Sequence, residues 1–254
     1  MNPWRLLEEV SDRDLEFIAP GQAEAMRRDP RILEVALDDP RLFARLAEDR
    51  EAILKVSPFL LFQVLMRQAV RQLRATRFTV ERTGFRQRVA VFDAHEVRQF
   101  LEEPEVVDYL AELLASFTRV RSGANWYRTK RGWRRRRFSE LDLRSLEGLE
   151  AEAGPEDRYY LDRRIAEVAL FLLGVFPDAM QRPRLHGRTP EEVEVIGATR
   201  YERASLHPLA ARSGEAALLG SLARRFRVAR KALNFLTDQF LYPLRTEWFS
   251  GGWA

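Results

Sequence analysis

Between positions 119 and 138 the chain carries nine basic residues and no acidic one. They are Arg119, Arg121, Arg128, Lys130, Arg131 and the run Arg134, Arg135, Arg136, Arg137. Trp126, Tyr127, Trp133 and Phe138 are interleaved with them. Cations at this density repel one another within a Debye length of ~8–10 Å, and a polyanion would relieve that repulsion while shedding its own counterions. Aromatic faces suit unpaired bases, at ~1–3 kcal/mol for each base stacked. The expected chemistry is therefore recognition of phosphate and base rather than bond breaking. Trp126, Tyr127 and Trp133 join the nine basic residues as predicted contact residues.

The charge is local. Residues 1–118 carry 17 Lys+Arg against 21 Asp+Glu, and residues 139–254 carry 16 against 17, so the net +4 of the whole chain resides in this one stretch. Only three of the 42 basic residues are lysines, a bias that a GC-rich coding sequence also produces. On that second account the arginines fill exposed positions and the aromatics anchor the stretch to its neighbours. Glu102, Glu103, Glu105, Asp108 and Glu112 could then neutralise it internally.

Signals for catalysis are weaker. The chain has no cysteine, which excludes disulfides, thiolate metal sites and a cysteine nucleophile. His95, His186 and His207 stand far apart, with no His-Glu-x-x-His or His-x-His spacing. Phosphate-binding glycine loops and a Gly-x-Ser-x-Gly elbow are absent. Asp157, Asp162 and Glu167 step by five, so they spiral around a helix instead of sharing a face. No catalytic residue, metal ligand or cofactor is predicted. A carboxylate or histidine site assembled from distant segments remains open, because local spacing does not reveal it.

The elements that must position the basic stretch are mostly helices. Periodicity predicts a helix over 4–18. Asp29-Pro30 and Asp39-Pro40 each start a short helix, with Asp capping and Pro at the first position, where no N–H is needed. Ser57-Pro58 starts a third over 58–74, apolar nearly all round and so central. The alternation of Phe78 and Val80, then Val89 and Val91, around Thr83-Gly84 predicts a β-hairpin. Asp93 with Glu96 forms a capping pair, and helices follow to about 103 and over 104–120. A second hairpin pairs 126–131 with 133–138, with Gly132 at the tip.

In the second half, a helix over 139–149 is capped by Ser139 with Asp142, and a buried helix runs over 159–175. Residues 176–188 form a loop. Thr189-Pro190-Glu191-Glu192 is a capping box, and the last helix covers 214–241. In that helix Leu219, Leu222, Phe226, Ala229, Leu233, Leu236 and Phe240 alternate steps of three and four, the spacing of a packing seam.

The fold class expected is mainly α: a helical, bundle-like body with one or two short β-hairpins. It divides into an N-terminal lobe over 1–138 and a C-terminal lobe over 139–254, or forms a single domain. Asp29-Pro30-Arg31-Ile32-Leu33 and Asp39-Pro40-Arg41-Leu42-Phe43 resemble the Asp-Pro helical repeats of the co-chaperone STI1-type domains. Over 29–73 that resemblance implies a helical hand gripping apolar peptides; short capped helices packing on their neighbours are the alternative. The element order over 58–138 is similar to that of winged-helix proteins, which implies that the second hairpin is a wing. Glu105, Asp108 and Glu112 on the helix that would read DNA depart from that pattern. The run 164–177 resembles one in bacterial proteins and implies no activity.

The N-terminus is charged too early for a signal peptide, and the longest apolar run, 168–176, is far short of the ~20 residues of a membrane span. A cytoplasmic, non-enzymatic accessory protein is expected, contacting DNA, RNA or another polyanion through 119–138. The alternatives are a helical adaptor with a protein partner, and an enzyme whose site is assembled from distant residues. Alternating apolar residues on the exposed basic hairpin would favour the adaptor; a deep cleft with converging His186, His207 or carboxylates would favour the enzyme.

Overall fold

The computed structural model describes residues 3–48, 50–84, 87–118, 122–129, 132–139, 142–180 and 187–242. The predicted first helix divides into α1 (Pro3–Glu9) and α2 (Asp12–Ile18). The division comes from Ser11, whose Oγ accepts from the Asp14 backbone N–H at 3.2 Å while Asp14 Oδ2 accepts from the Ser11 N–H at 2.9 Å. The other oxygen of the buried Asp14 accepts from the Ser57 N–H at 2.7 Å, so one carboxylate ties two helix starts together.

Next come α3 (Ala23–Arg28), α4 (Pro30–Leu37), α5 (Pro40–Glu48), α6 (Arg50–Lys55) and α7 (Pro58–Ala75). The Asp-Pro and Ser-Pro starts form as expected. Asp29 accepts from the Arg31 N–H at 3.2 Å, Asp39 from the Arg41 N–H at 2.9 Å and Ser57 from the Leu60 N–H at 3.1 Å. Helix α7 buries Phe59 through Met66 without a break. Each of its large apolar side chains contributes about 1.5–3 kcal/mol through removal from water.

Strands β1 (Thr79–Gly84) and β2 (Gln87–Val91) make the first antiparallel hairpin, then come α8 (Ala94–Leu101) and α9 (Pro104–Phe117). The capping pair expected at α8 does not form. Asp93 makes no side-chain cap bond; its carboxylate accepts from Thr79 Oγ1 at 2.5 Å and pairs with Lys231, and these cross-chain partners outcompete the local one. Strands β3 (Ser122–Thr129) and β4 (Gly132–Ser139) make the second hairpin. The two hairpins are separate two-stranded sheets.

Helix α10 (Leu143–Glu150) starts at Asp142, whose carboxylate accepts from the Arg144 and Ser145 N–H groups; Ser139, expected as its cap, instead ends β4 opposite Ser122. Helix α11 (Pro155–Val175) is the hub, packed by α9 and α10 and by four later helices: α12 (Pro177–Met180), α13 (Pro190–Ser205), α14 (Pro208–Ser213) and α16 (Phe226–Leu236). Between α14 and α16 lies α15 (Ala216–Arg224). Helix α12 occupies part of the expected loop over 176–188; positions 181–186 lie outside the described residues.

The last helix is not continuous. Gly214, left-handed at φ 75°, ends α14, and Arg225 leaves helical dihedrals between α15 and α16. A π-helical turn, Thr237–Leu241, follows α16. The seam survives these breaks: Leu219, Leu222, Phe226, Ala229, Leu233 and Leu236 are buried, and the partly buried Phe240 meets Phe43 edge-on at 5.5 Å. A step of three or four persists across one non-helical residue, which is why the seam does not betray the break.

The protein is thus mainly α-helical with two short β-hairpins. No helix among the described residues is long and apolar enough to cross a membrane.

Candidate functional site

Tryptophan and tyrosine favour extended backbone, and β3 and β4 pair without a bulge from Ser122↔Ser139 to Thr129↔Gly132. Gly132 is therefore the first residue of β4, paired with Thr129, instead of the tip. Within the ladder Arg135 stands opposite Trp126, Arg134 opposite Tyr127, and Trp133 opposite Arg128. Three consecutive rungs thus each match one arginine with one aromatic residue. Arg136 is opposite Asn125 and Arg137 opposite Ala124. Arg119, Arg121, Lys130 and Arg131 lie outside the described residues.

Three of the acids that could neutralise this stretch internally, Glu102, Glu103 and Asp108, have partners in the helical body. Glu102 pairs with Arg74 at 3.2 Å, and Glu103 takes both Nη atoms of Arg225 at 2.5 and 2.6 Å. The hydrogen bonds from Arg225 hold the Glu103 carboxyl below its ordinary range, against the opposing effect of partial burial. Asp108, buried on α9, accepts from Gln63 Nε2 at 2.7 Å.

Four charged clusters elsewhere are invisible to local spacing. Arg82, buried on β1, donates to Asp178 at 2.8 Å and to Asp238 at 2.5 Å. Glu81 accepts from Arg230 at 2.5 Å and Arg227 at 3.1 Å. Asp162 pairs with Arg200 at 2.6 Å and Arg203 at 3.4 Å, and both arginines also reach Glu150. Deepest is Tyr109, whose hydroxyl lies 3.0 Å from Glu167 Oε1 and 3.2 Å from the Tyr201 hydroxyl.

Burial first, then the Glu167 charge, pushes both of those phenols well above their ordinary pKa. Arg163 bridges Glu167 and Glu215 at 2.8 Å each; burial opposes its charge, but Tyr109 and the two carboxylates hold it firmly protonated. Groups fixed this far from neutral titration are suited to holding helices together rather than to moving protons at pH 7. Asp162 and Glu167 lie on different sides of α11, toward α13 and α9 respectively, as their five-residue step implies.

Of the described histidines, neither His95 nor His207 forms part of a cluster of metal-ligating groups. His207 Nδ1 accepts from the Leu209 N–H at 3.2 Å, its Nε2 lies 3.1 Å from the Pro155 carbonyl, and its ring stacks on Tyr159. It is a helix cap. His95 is exposed on α8, and His186 lies outside the described residues. Among the described residues no group of three His, Asp or Glu side chains could hold a metal ion.

No family model matches the chain, and neither a curated protein nor a solved structure is similar to it.

Proposed function

We propose that the β3–β4 ribbon is a nucleic-acid contact surface and that the helical body is its scaffold. The observation that carries this reading is the run of three rungs, Trp126↔Arg135, Tyr127↔Arg134 and Arg128↔Trp133, within a stretch of nine cations and no anion. Each rung supplies a cation for a backbone phosphate and an aromatic plane for a base, the two components of sequence-tolerant binding to single strands. The ion pairs of Glu102 with Arg74 and of Glu103 with Arg225 support it, because carboxylates already paired with one arginine are poor counter-ions for a second set. Arginine is also the better residue for the task, since its planar fork meets a phosphate through two parallel hydrogen bonds.

The test is equilibrium binding of the full chain to single- and double-stranded DNA and RNA across a salt series. The expected result is tighter binding to single strands, with log K falling linearly in log salt. Binding that is absent, or indifferent to salt, contradicts the proposal.

A further inference from the structure

The first hairpin carries a second, chemically different surface. Phe78, Val80, Val89 and Phe92 are 42, 36, 48 and 82% exposed, although alternation of this kind ordinarily marks the face a sheet buries. The register explains the inversion. Val80 faces Ala90 and Arg82 faces Arg88, so these four share one side of the ribbon. On the other side Glu81 and Thr79, opposite Val89 and Val91, turn toward the cations of α16 and toward Asp93. Arg82, on the Val80 side, also turns inward, to Asp178 and Asp238, so β1 is held to the body from both faces while the outer strand β2 stays exposed. Val89 belongs to the Glu81 side, and Val80 lies on the other, with Phe78 and Phe92 beyond the end of the ladder.

Phe78 and Phe92 meet edge to face at 6.3 Å. Beside them is a groove of about 390 Å³ between the hairpin, the end of α7 and the π-helical turn, lined by Phe78, Val80, Phe235, Thr76 and Gln72.

Charge identifies the occupant. The groove's own carboxylate, Asp238, is taken by Arg82. Arg77 and Arg88 are exposed, and neither pairs with a carboxylate among the described residues. Arg77 precedes Phe78, while Arg88 lies level with Arg82, five residues further along, or about 16 Å at ~3.3 Å per strand residue. Along the strand axis Phe78 and Val80 lie between these two cations. We infer that the β1–β2 face docks an acidic peptide segment of a partner protein, extended along the hairpin, with aromatic or large aliphatic side chains between two acidic ends. This surface is distinct from β3–β4 and does not depend on that ribbon's function.

The experiment uses fluorescence polarisation of a labelled ten-residue peptide with paired Asp/Glu at both ends and Leu-Trp-Phe at its centre. One twin has lysine at the ends, and another has serine at the centre. The acidic aromatic peptide should bind the full chain about ten-fold or more tighter than either twin, a factor that one well-made interaction supplies. Phe92→Ser and Arg88→Glu should each weaken it by about ten-fold. Both positions are exposed, and unchanged circular dichroism would certify that the variants fold. Changing Arg134, Arg135, Arg136 and Arg137 together to Gln should leave peptide binding intact. Binding that vanishes in that four-residue variant but survives Phe92→Ser would mean the peptide had met the basic ribbon, and the inference falls. It also falls if no binding develops below about 1 mM, or if Phe92→Ser abolishes a concentration-dependent dimer, which would make a second copy of the chain the occupant.

Discussion

Arg82 Nη2 stands 2.5 Å from Asp238 Oδ1, across 156 positions of the chain. This hydrogen bond fastens the first hairpin to the π-helical turn behind α16, and Asp178 at the start of α12 completes the cluster at 2.8 Å. The guanidinium is only 3% exposed, while the two carboxylates keep some access to water. Burial disfavours the charge on Arg82, but the hydrogen bond and charge of Asp238, then Asp178, raise its pKa regardless.

Arg82→Met keeps the length of the side chain and removes its charge. An exposed pair is worth ~0–1 kcal/mol and breaking a buried one costs ~3–5 kcal/mol. Solvent at the carboxylates puts this loss between those limits, at about 2 kcal/mol by urea denaturation. The double change Arg82→Met with Asp238→Leu should recover part of it, because the more buried carboxylate is then removed and the one left without its arginine, Asp178, is half exposed to water. A single variant as stable as the parent would show that the cluster is replaceable by packing alone.

Gly174 on α11 tests the seam from the other side. A Cβ there would lie 2.6 Å from Leu233 Cβ, and the Gly174 carbonyl accepts from Asn234 Nδ2 at 2.9 Å and Thr237 Oγ1 at 3.1 Å. At an open helix position Gly→Ala stabilises by ~0.5–1 kcal/mol. Here the overpacking of ~1–3 kcal/mol should win, so Gly174→Ala lowers Tm. Leu233→Asp, which buries an unpaired charge at the same place, should be worse still. If Gly174→Ala raises Tm, α11 and α16 are not closely packed.

These interactions separate what is legible in the sequence from what is not. Asp29, Asp39, Ser57 and Thr189 are readable as helix starts because a cap and its helix are neighbours in the chain. The seam from Leu219 to Leu236 is readable because one helix face repeats. Arg82–Asp238, Tyr109–Glu167–Tyr201 and Glu103–Arg225 are not, since their partners lie 58 to 156 positions apart and no local spacing links them. The first hairpin is recognisable from its alternation, but alternation does not say which face the body will cover. Polar anchors on Thr79 and Glu81 from one face and Arg82 from the other hold β1 to the body, and the outer strand β2 is left exposed. In the second hairpin the strands are legible, but Gly132 is not the tip, because β4 begins at the glycine itself, paired with Thr129.

Acid should destabilise the fold through its arginine-bound carboxylates. Burial would raise the pKa of Glu81, but hydrogen bonds from Arg230 and Arg227 and the charge of Lys231 hold it below its ordinary value. Glu150 is lowered in the same manner by Arg203 and Arg200. A group whose folded pKa is depressed contributes stability that is present above the unfolded value of ~4.3 and is lost as pH falls through the folded one. Tm should therefore fall steeply below about pH 4, and Glu81→Gln should make that decline shallower. An identical acid profile in the variant would remove Glu81 from the account.

The ribbon gives the most direct test. Replacing Arg134, Arg135, Arg136 and Arg137 with Gln takes the formal net charge from +4 to zero and retains polar side chains of related length. If these residues meet phosphates, single-strand affinity drops and the slope of log K against log salt shrinks by ~0.7–0.9 for each phosphate no longer bound. Stability should hardly change, because four adjacent cations repel one another and exposed charges add little. Trp133→Ala then separates stacking from anchoring. Position 133 is opposite Arg128, in the rung next to the terminal pair Thr129↔Gly132, where a structural anchor would be least needed. Weaker single-strand binding at an unchanged Tm assigns Trp133 to the bases. A fall in Tm with binding preserved assigns it to the fold, and stacking on that rung is then ruled out.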